Sequence, residues 1–131
     1  MTQEEKSLLL RDLCARLPYK VKLQIEGLGN QIIGDKGIRT IASVLPSRNA
    51  VEYDMHGSNV GVMIDFVKPY LRSVSNMTEG EKEYMEYLHQ FRCNIGYAAN
   101  KVDFCLKRHL DYRGLIDKGL ALEAPEGMYN I

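Results

Sequence analysis

The sequence has no excess of charge of either sign. Its 17 lysine and arginine residues balance 17 aspartate and glutamate residues. A protein that binds nucleic acid through the phosphates usually carries a basic excess or a basic stripe. The most basic stretch, residues 92–113, is only weakly basic, and such a count is more often that of a solvated helix face than of a nucleic-acid-binding surface. The charge pattern therefore gives nucleic-acid binding little support.

Cysteine and long apolar runs are also scarce. Cys14, Cys93 and Cys105 are odd in number, far apart and outside any Cys-x-x-Cys pair, which argues for a reducing compartment rather than a disulfide framework. Glu4 and Glu5 stand where a secretory signal carries positive charge. No stretch approaches the ~20 apolar residues of a membrane-spanning helix. The sequence predicts a cytoplasmic protein without a membrane partner.

Internal repeats, low-complexity segments and linkers are missing too. The 45% hydrophobic and 26% charged content is that of a globular domain and not of a disordered chain. A length of 131 residues suits one domain. We predict a single α+β domain over residues 1–131. Its parts are a helix at 2–17, a β region at 20–72, a helical region at 78–116 and a tail at 117–131.

The first helix has both ends marked. Thr2 and Glu5 have the spacing of a capping box, in which each side chain satisfies a backbone N–H of the first turn. Leucines then recur at four-residue steps from Leu9, until Pro18 ends the helix.

After this helix, the spacing of the apolar residues changes to every second residue. Residues 20–26 alternate apolar and polar side chains, as in a strand with one wet face. Further apolar runs occupy residues 31–33, 38–45, 50–55 and 60–67. Turn-forming residues separate them at 34–37, 46–49 and 56–59. We predict four or five short antiparallel strands, in a bent sheet or a small SH3-like barrel.

Two helices and a tail complete the chain. Thr78 and Glu81 repeat the capping-box spacing, and apolar residues from Tyr84 to Phe91 follow at helical intervals. After a break at 94–96 we predict a third helix at 98–108, and Asp111 could cap a short turn beyond it. In the tail, residues 117–131, the apolar residues have no regular spacing. The tail therefore reads as an extended segment that either packs on the rest of the domain or binds a partner.

Several segments of the sequence, taken together, resemble segments of known proteins. They are LLLRDLCARLPY at residues 8–19, VKPYLR at 67–72 with MTE at 77–79, HLDYRGLI at 109–116 and GLALEAP at 119–125. In these strings the chain resembles a group of short proteins of gut anaerobes and their prophages and mobile elements. That group has no assigned activity, so the resemblance implies no functional residue. It implies a small accessory protein of phage or mobile-element origin.

A hydrolytic cluster can be imagined around His56, with Asp54, Asp65 and Ser58 near it in sequence. Nucleophilic catalysis needs a nucleophile beside an oriented base, but no Gly-x-Ser-x-Gly elbow is present. The favoured interpretation of these residues is a hairpin whose polar side chains face water. The glycines at 27–29 and 34–37 lack the spacing of a dinucleotide fingerprint or a P-loop. They are better explained as turns.

One pattern suggests a metal site. His89 and Cys93 are four residues apart near the end of the second helix, and Cys105 and His109 are four apart near the end of the third. Each pair shares a helix face, and two cysteines with two histidines could bind zinc. The order of the ligands matches no zinc-finger spacing, and buried cysteines are common in cores. The hypothesis requires that the two pairs converge.

The acidic run Glu79, Glu81, Glu83 and Glu86 lies in the first turns of a helix, where the helix dipole favours negative side chains. We interpret it as a solvated face rather than a glycosidase pair.

Aromatic residues in the β region could form a stacking platform for nucleic acid or an anchor for a peptide. They are Tyr19, Tyr53, Phe66 and Tyr70, and core packing is the favoured alternative. Tyr112 and Arg113 could fix the tail to the body or contact a partner.

These observations identify no catalytic, cofactor-binding or metal-binding residue. We predict a non-enzymatic binding or accessory protein, without cofactor, that contacts a protein or a nucleic acid. The alternatives are a nucleic-acid-binding small barrel and a small hydrolase or zinc-dependent protein. Apolar faces on the terminal helices leave homo-oligomerisation open.

Overall fold

The structure, a computed structural model, describes residues 1–26 and 38–129. Helix α1 spans Gln3–Arg16, and the predicted capping box is present at its start. The Thr2 hydroxyl accepts the Glu5 N–H at 3.1 Å, and the Glu5 carboxylate accepts the Thr2 N–H at 2.8 Å. A 3-10 turn at Leu17–Tyr19 follows, and Lys20 leaves it in a left-handed conformation. The predicted helix at 2–17 agrees to within one residue at each end.

Six strands form one sheet in the order β4-β3-β2-β1-β5-β6. The pairs from β4 to β5 are antiparallel, and β6 runs parallel to β5. The strands are β1 (Lys22–Ile25), β2 (Ile38–Leu45), β3 (Ala50–Met55), β4 (Ser58–Met63), β5 (Val67–Leu71) and β6 (Leu122–Glu123). An α+β fold with an N-terminal helix is confirmed. The SH3-like barrel is not, because over the described residues the sheet is open, with β4 and β6 at its edges.

The β3–β4 hairpin has the turn that its sequence favours. His56 and Gly57 both adopt positive φ angles, at 53° and 88°. Two residues with positive φ match the right-handed twist of the strands that they join. Met55 pairs with Ser58 directly beside them.

The apolar run at 60–67 is not one strand, contrary to the prediction. β4 ends at Met63, a 3-10 turn spans Ile64–Phe66, and β5 begins at Val67. Ile64 is fully buried and its N–H bonds the Asn49 carbonyl at 2.8 Å. The chain therefore turns inward at Ile64 instead of continuing along the edge. The apolar run at 31–33 and the glycines at 27–29 and 34–37 lie outside the described residues.

Two helices follow the sheet, as predicted. Helix α2 spans Glu79–His89 with a capping box on Thr78, and helix α3 spans Tyr97–Lys107. Beyond them, the Asp111 carboxylate accepts the N–H groups of Leu115 and Ile116, so it caps a turn in the predicted place.

The described part of the tail packs on the body. β6 extends the sheet beside β5, and the Tyr129 hydroxyl lies between two strands. It donates to the Tyr70 carbonyl at 2.7 Å and accepts the Lys22 N–H at 2.8 Å. Of the two alternatives left open by the sequence, the structure shows packing.

One apolar core joins α1, the sheet and the tail. Its members include Leu9 and Leu13 of α1, Leu23 of β1, Val51 of β3 and Leu120 of the tail, all at least 96% buried. Among the described residues no helix is long and apolar enough to cross a membrane.

Candidate interaction surface

The base of the α2–α3 pair is fixed by a buried carboxylate. Glu81 caps α2 through the Thr78 N–H, and its side chain is fully buried. Both of its oxygens accept Arg72 guanidinium N–H groups at 2.7 Å, and the Arg108 Nε lies 3.3 Å away. Arg72 also donates to the Arg108 carbonyl. The start of α2, the end of β5 and the end of α3 therefore meet at one carboxylate.

The charge cluster has a physical consequence for Glu81. Hydrogen bonds from Arg72 outweigh the effect of burial and lower the pKa of the Glu81 carboxyl to about 2. The group is ionised at any physiological pH, and it holds the two arginines in place. The interpretation of the acidic run as a solvated face is thus wrong at Glu81, while Glu79, Glu83 and Glu86 are exposed.

A second buried cluster anchors α1 to the segment after α3. Arg16 and Asp12 are fully buried and bond at 2.7 Å, and Arg16 also donates to the Leu110 carbonyl. Arg113 bonds the other Asp12 oxygen at 3.1 Å, and both arginines stack over the Tyr112 ring. Tyr112 and Arg113 therefore fix this segment to the body.

Toward the other end of the α2–α3 pair, several large apolar side chains are exposed together. Tyr84, Tyr87 and Phe91 are 41%, 54% and 41% exposed, and Ile95 in the connection is fully exposed. We call these four residues, with Tyr97 and Phe104 of α3, the aromatic face. Tyr84 and Phe104 pack at a centroid distance of 4.6 Å, and Tyr87 and Phe91 meet edge to face at 5.2 Å.

A groove of about 410 Å³ runs between the two helices of this face. Tyr87 and Phe91 form one wall, Tyr97 the other, and the side-chain amides of Asn94 and Asn100 add polar groups. Rigid aromatic walls with a few polar groups are typical of surfaces that bind another protein.

The sequence could have indicated this surface. Tyr84, Tyr87 and Phe91 follow the spacing i, i+3, i+7 of one helix face. The true inward face is narrower and consists of Glu81, Leu88 and the half-buried Met85. The pattern contains two apolar stripes on α2, and the second one remains largely exposed although Tyr84 packs against Phe104.

The residues of the imagined hydrolytic cluster do not assemble. His56 lies at the tip of the β3–β4 hairpin, whereas Asp65 lies beyond the opposite end of β4, roughly 20 Å away at 3.3 Å per residue. Asp65 instead pairs with Lys6 at 3.5 Å. Asp54, His56 and Ser58 are exposed, as the solvated-hairpin interpretation expects.

The four residues of the zinc hypothesis do not converge. Cys93 is exposed and Cys105 is buried, where burial raises the pKa of its thiol. The His89 Nδ1 lies 3.4 Å from the Tyr97 hydroxyl. Within residues 1–26 and 38–129 no three His, Cys, Asp or Glu side chains are placed to hold a metal ion.

His109 is instead part of the contact between tail and body. Its ring stacks on Tyr129 at 3.7 Å between centroids. Burial, and then the positive charges of Arg16, Arg72 and Lys22, lower the pKa of His109 to about 4. Burial also raises the pKa of Tyr129 to about 12. Both rings are neutral at physiological pH.

The aromatic residues of the β region do not form a common platform. Tyr53 is 5% exposed and belongs to the core, Tyr19 and Tyr70 are half-buried, and only Phe66 is exposed. Core packing, the favoured alternative, accounts for Tyr53.

The cleft between the tail and the end of β5 is a weaker candidate. It has a volume of about 440 Å³ and is lined by Arg72 on one side and by Glu123 and Glu126 on the other. Arg72 already bonds Glu81, and Glu123 accepts a bond from Asn76 at 2.6 Å. Its charged groups are therefore largely occupied within the chain.

Comparison with known proteins gave no match: no family model, no curated protein and no solved structure is significantly similar to the chain.

Proposed function

We propose that this chain is a non-enzymatic binding protein whose aromatic face docks onto a protein partner. The observation that carries the proposal is the concentration of exposed apolar side chains on one helical pair. Three half-exposed aromatic side chains and Ile95 present on the order of 400 Å² of apolar surface, taking roughly 200 Å² for each whole aromatic side chain. Patches of that size on a monomer are often functional.

The charge on the two helices favours a protein over a nucleic acid. Residues 79–108 contain five basic and five acidic side chains, so the aromatic face has no net positive field. Lys101 and Arg108 do lie over the rings of Tyr97 and Phe104. Aromatic side chains that stack on bases, without basic side chains around them to bind the phosphates, give little affinity for a nucleic acid. An interface rich in tyrosine and phenylalanine suits a protein surface.

A photo-crosslinking amino acid at position 87 tests the proposal. In the cells that produce the protein, we expect a covalent protein adduct from position 87 and none from position 63, because Met63 is similarly exposed at 46% but lies on the opposite edge strand β4. An adduct that nuclease treatment removes would show nucleic-acid binding instead. No adduct from position 87, with an efficient probe, would refute a binding role for the aromatic face.

The setting is part of the same proposal. All three cysteines are unpaired, which fits the reducing conditions of the cytoplasm. An accessory role in a phage or mobile element follows from the resemblance described above, and the gene neighbourhood tests it directly.

A further inference from the structure

We propose that the aromatic face binds a proline-rich segment of its partner, held as a polyproline II helix in the groove between α2 and α3. This inference rests on the proposed binding role of the aromatic face and names the chemistry of its occupant. Three features of the groove support it: its aromatic walls, its unpartnered side-chain amides and its lack of charged side chains.

The aromatic rings along the groove have a spacing that suits a polyproline II helix. The ring centroids of Tyr84 and Tyr87 are 6.2 Å apart, and those of Tyr87 and Phe91 are 5.2 Å apart. Two residues of a polyproline II helix span ~6 Å, at 3.1 Å each. Tyr97 lines the groove from α3. Grooves lined by aromatic rings are a recurring binding site for proline-rich segments.

The side-chain amides favour an extended occupant over a helical one. Asn94 and Asn100 line the groove and are exposed, and within the described part of the chain neither side-chain amide makes a hydrogen bond. Such an amide can donate to a backbone carbonyl of a bound peptide. The carbonyls of an α-helix are already bonded within the helix, whereas a polyproline II backbone has no internal hydrogen bonds. An extended peptide therefore offers these two amides the acceptors that a helix lacks.

The lack of charge narrows the choice of occupant further. No lysine, arginine, histidine, aspartate or glutamate is among the described residues that line the groove. A charged segment would lose hydration there without gaining an opposite charge. Proline carries no charge and no backbone N–H, so it leaves no donor unpaired against the rings. Its fixed backbone also reduces the entropy that is lost on binding. An uncharged, proline-rich segment is therefore the occupant that matches the groove.

Titration of the full chain with a synthetic decaproline peptide tests the inference, because this peptide is a polyproline II helix without charged side chains. We expect saturable shifts in the NMR signals of the Asn94 and Asn100 side-chain amides. An alanine-rich peptide of about 20 residues, long enough to be helical, should cause none.

Three variants separate the groove from the fold. Gly96→Leu should abolish binding of decaproline: the nearest atom to a Cβ at this position is the Asn100 Nδ2, at 3.8 Å, an ordinary contact, so the leucine fits and fills the groove. Asn100→Ala should weaken binding about fivefold, the effect of one lost hydrogen bond, while alanine preserves α3. Asn59→Ala is the matched control, an exposed asparagine on β4, and should leave the affinity unchanged. The thermal midpoint of each variant shows that it is folded.

Several results would overturn the inference. They are the absence of shifts at about 1 mM decaproline, a helical peptide that binds while decaproline does not, and a folded Gly96→Leu variant that binds decaproline as tightly as the original chain. A photo-crosslinked adduct from position 87 that contains a second copy of this chain, or a partner segment without proline, also overturns it but leaves the binding role of the aromatic face in place. Loss of both the adduct and the shifts refutes the binding role itself.

Discussion

Glu81→Gln should be among the most destabilising conservative substitutions in this protein. The glutamate carboxylate accepts two bonds from Arg72 at 2.7 Å and one from the Thr78 N–H at 2.8 Å. A glutamine keeps one acceptor oxygen, so the cap on Thr78 can survive. Its amide N–H₂ then faces the donors of an arginine, and Arg72, which is only 11% exposed, loses its counter-charge.

The magnitude follows from the burial of the pair. Removing one partner of a buried ion pair costs about 3–5 kcal/mol, because the other charge remains unpaired. Arg108, the third member, is 39% exposed, so water can reach that side of the cluster and reduce the cost. We expect a loss of about 3 kcal/mol in the free energy of unfolding, or roughly 10 °C in the thermal midpoint for a domain of this size.

Urea denaturation followed by circular dichroism measures this loss, and pH provides a second readout. The folded-state pKa of Glu81 is lowered from 4.5 to about 2, so its stabilisation is present above pH 4.5 and is lost as the pH falls toward 2. The difference between wild type and Glu81→Gln should therefore shrink over that window. Glu83→Gln, on the exposed side of the same helix, should change stability by less than about 0.5 kcal/mol. If Glu81→Gln costs no more than this control, the cluster does not stabilise the fold.

Three further predictions concern the tail and the turns. The pKa of His109 is about 4 in the folded state, against 6.5 in the unfolded state. Between these values the unfolded chain binds more protons, so stability falls as the pH is lowered from 6.5 to 4. His109→Phe should make stability, measured by urea denaturation, depend less on pH in this range, and an unchanged dependence would contradict the prediction. Tyr129→Phe should cost about 2 kcal/mol, since it leaves the Lys22 N–H and the Tyr70 carbonyl unpaired, and faster proteolysis of the tail should accompany it. Lys20→Gly should raise the thermal midpoint slightly, because Lys20 has a φ of 55° that costs a residue with a side chain about 1 kcal/mol.

Local signals predicted the elements of this fold well. The capping boxes at Thr2 and Thr78, the two-residue repeat of β1 and the turn at His56 and Gly57 each depend on residues close together in sequence. Such features are decided by backbone chemistry within one turn, so a single sequence is enough to show them. Helices α1 and α3 consequently begin and end within one residue of their predicted bounds, whereas α2 ends at His89, before Cys93, which the sequence placed near the end of that helix.

Long-range features were not predictable in the same way. Over the described residues the sheet is open, and its edge beside β5 is occupied by β6, a two-residue strand that comes from an aperiodic tail more than fifty residues further along the chain. Nothing within residues 122–123 marks them as a strand. The inward direction of Glu81 depends likewise on Arg72 and Arg108, which come from other elements and neutralise its charge.

If the aromatic face binds a partner as proposed, stability and binding should be separable along the α2–α3 pair. Glu81 fixes the base, whereas Tyr87 lies six residues on, about 9 Å along the helix axis, and its ring packs against Tyr84 and Phe91 of the aromatic face. Effects of substitutions at such separation usually add independently. A change at the base should therefore lower stability and, through it, the population of the binding surface. A change at Tyr87 should lower binding alone, and a Tyr87 variant that loses both would place this ring in the core and not on an interface.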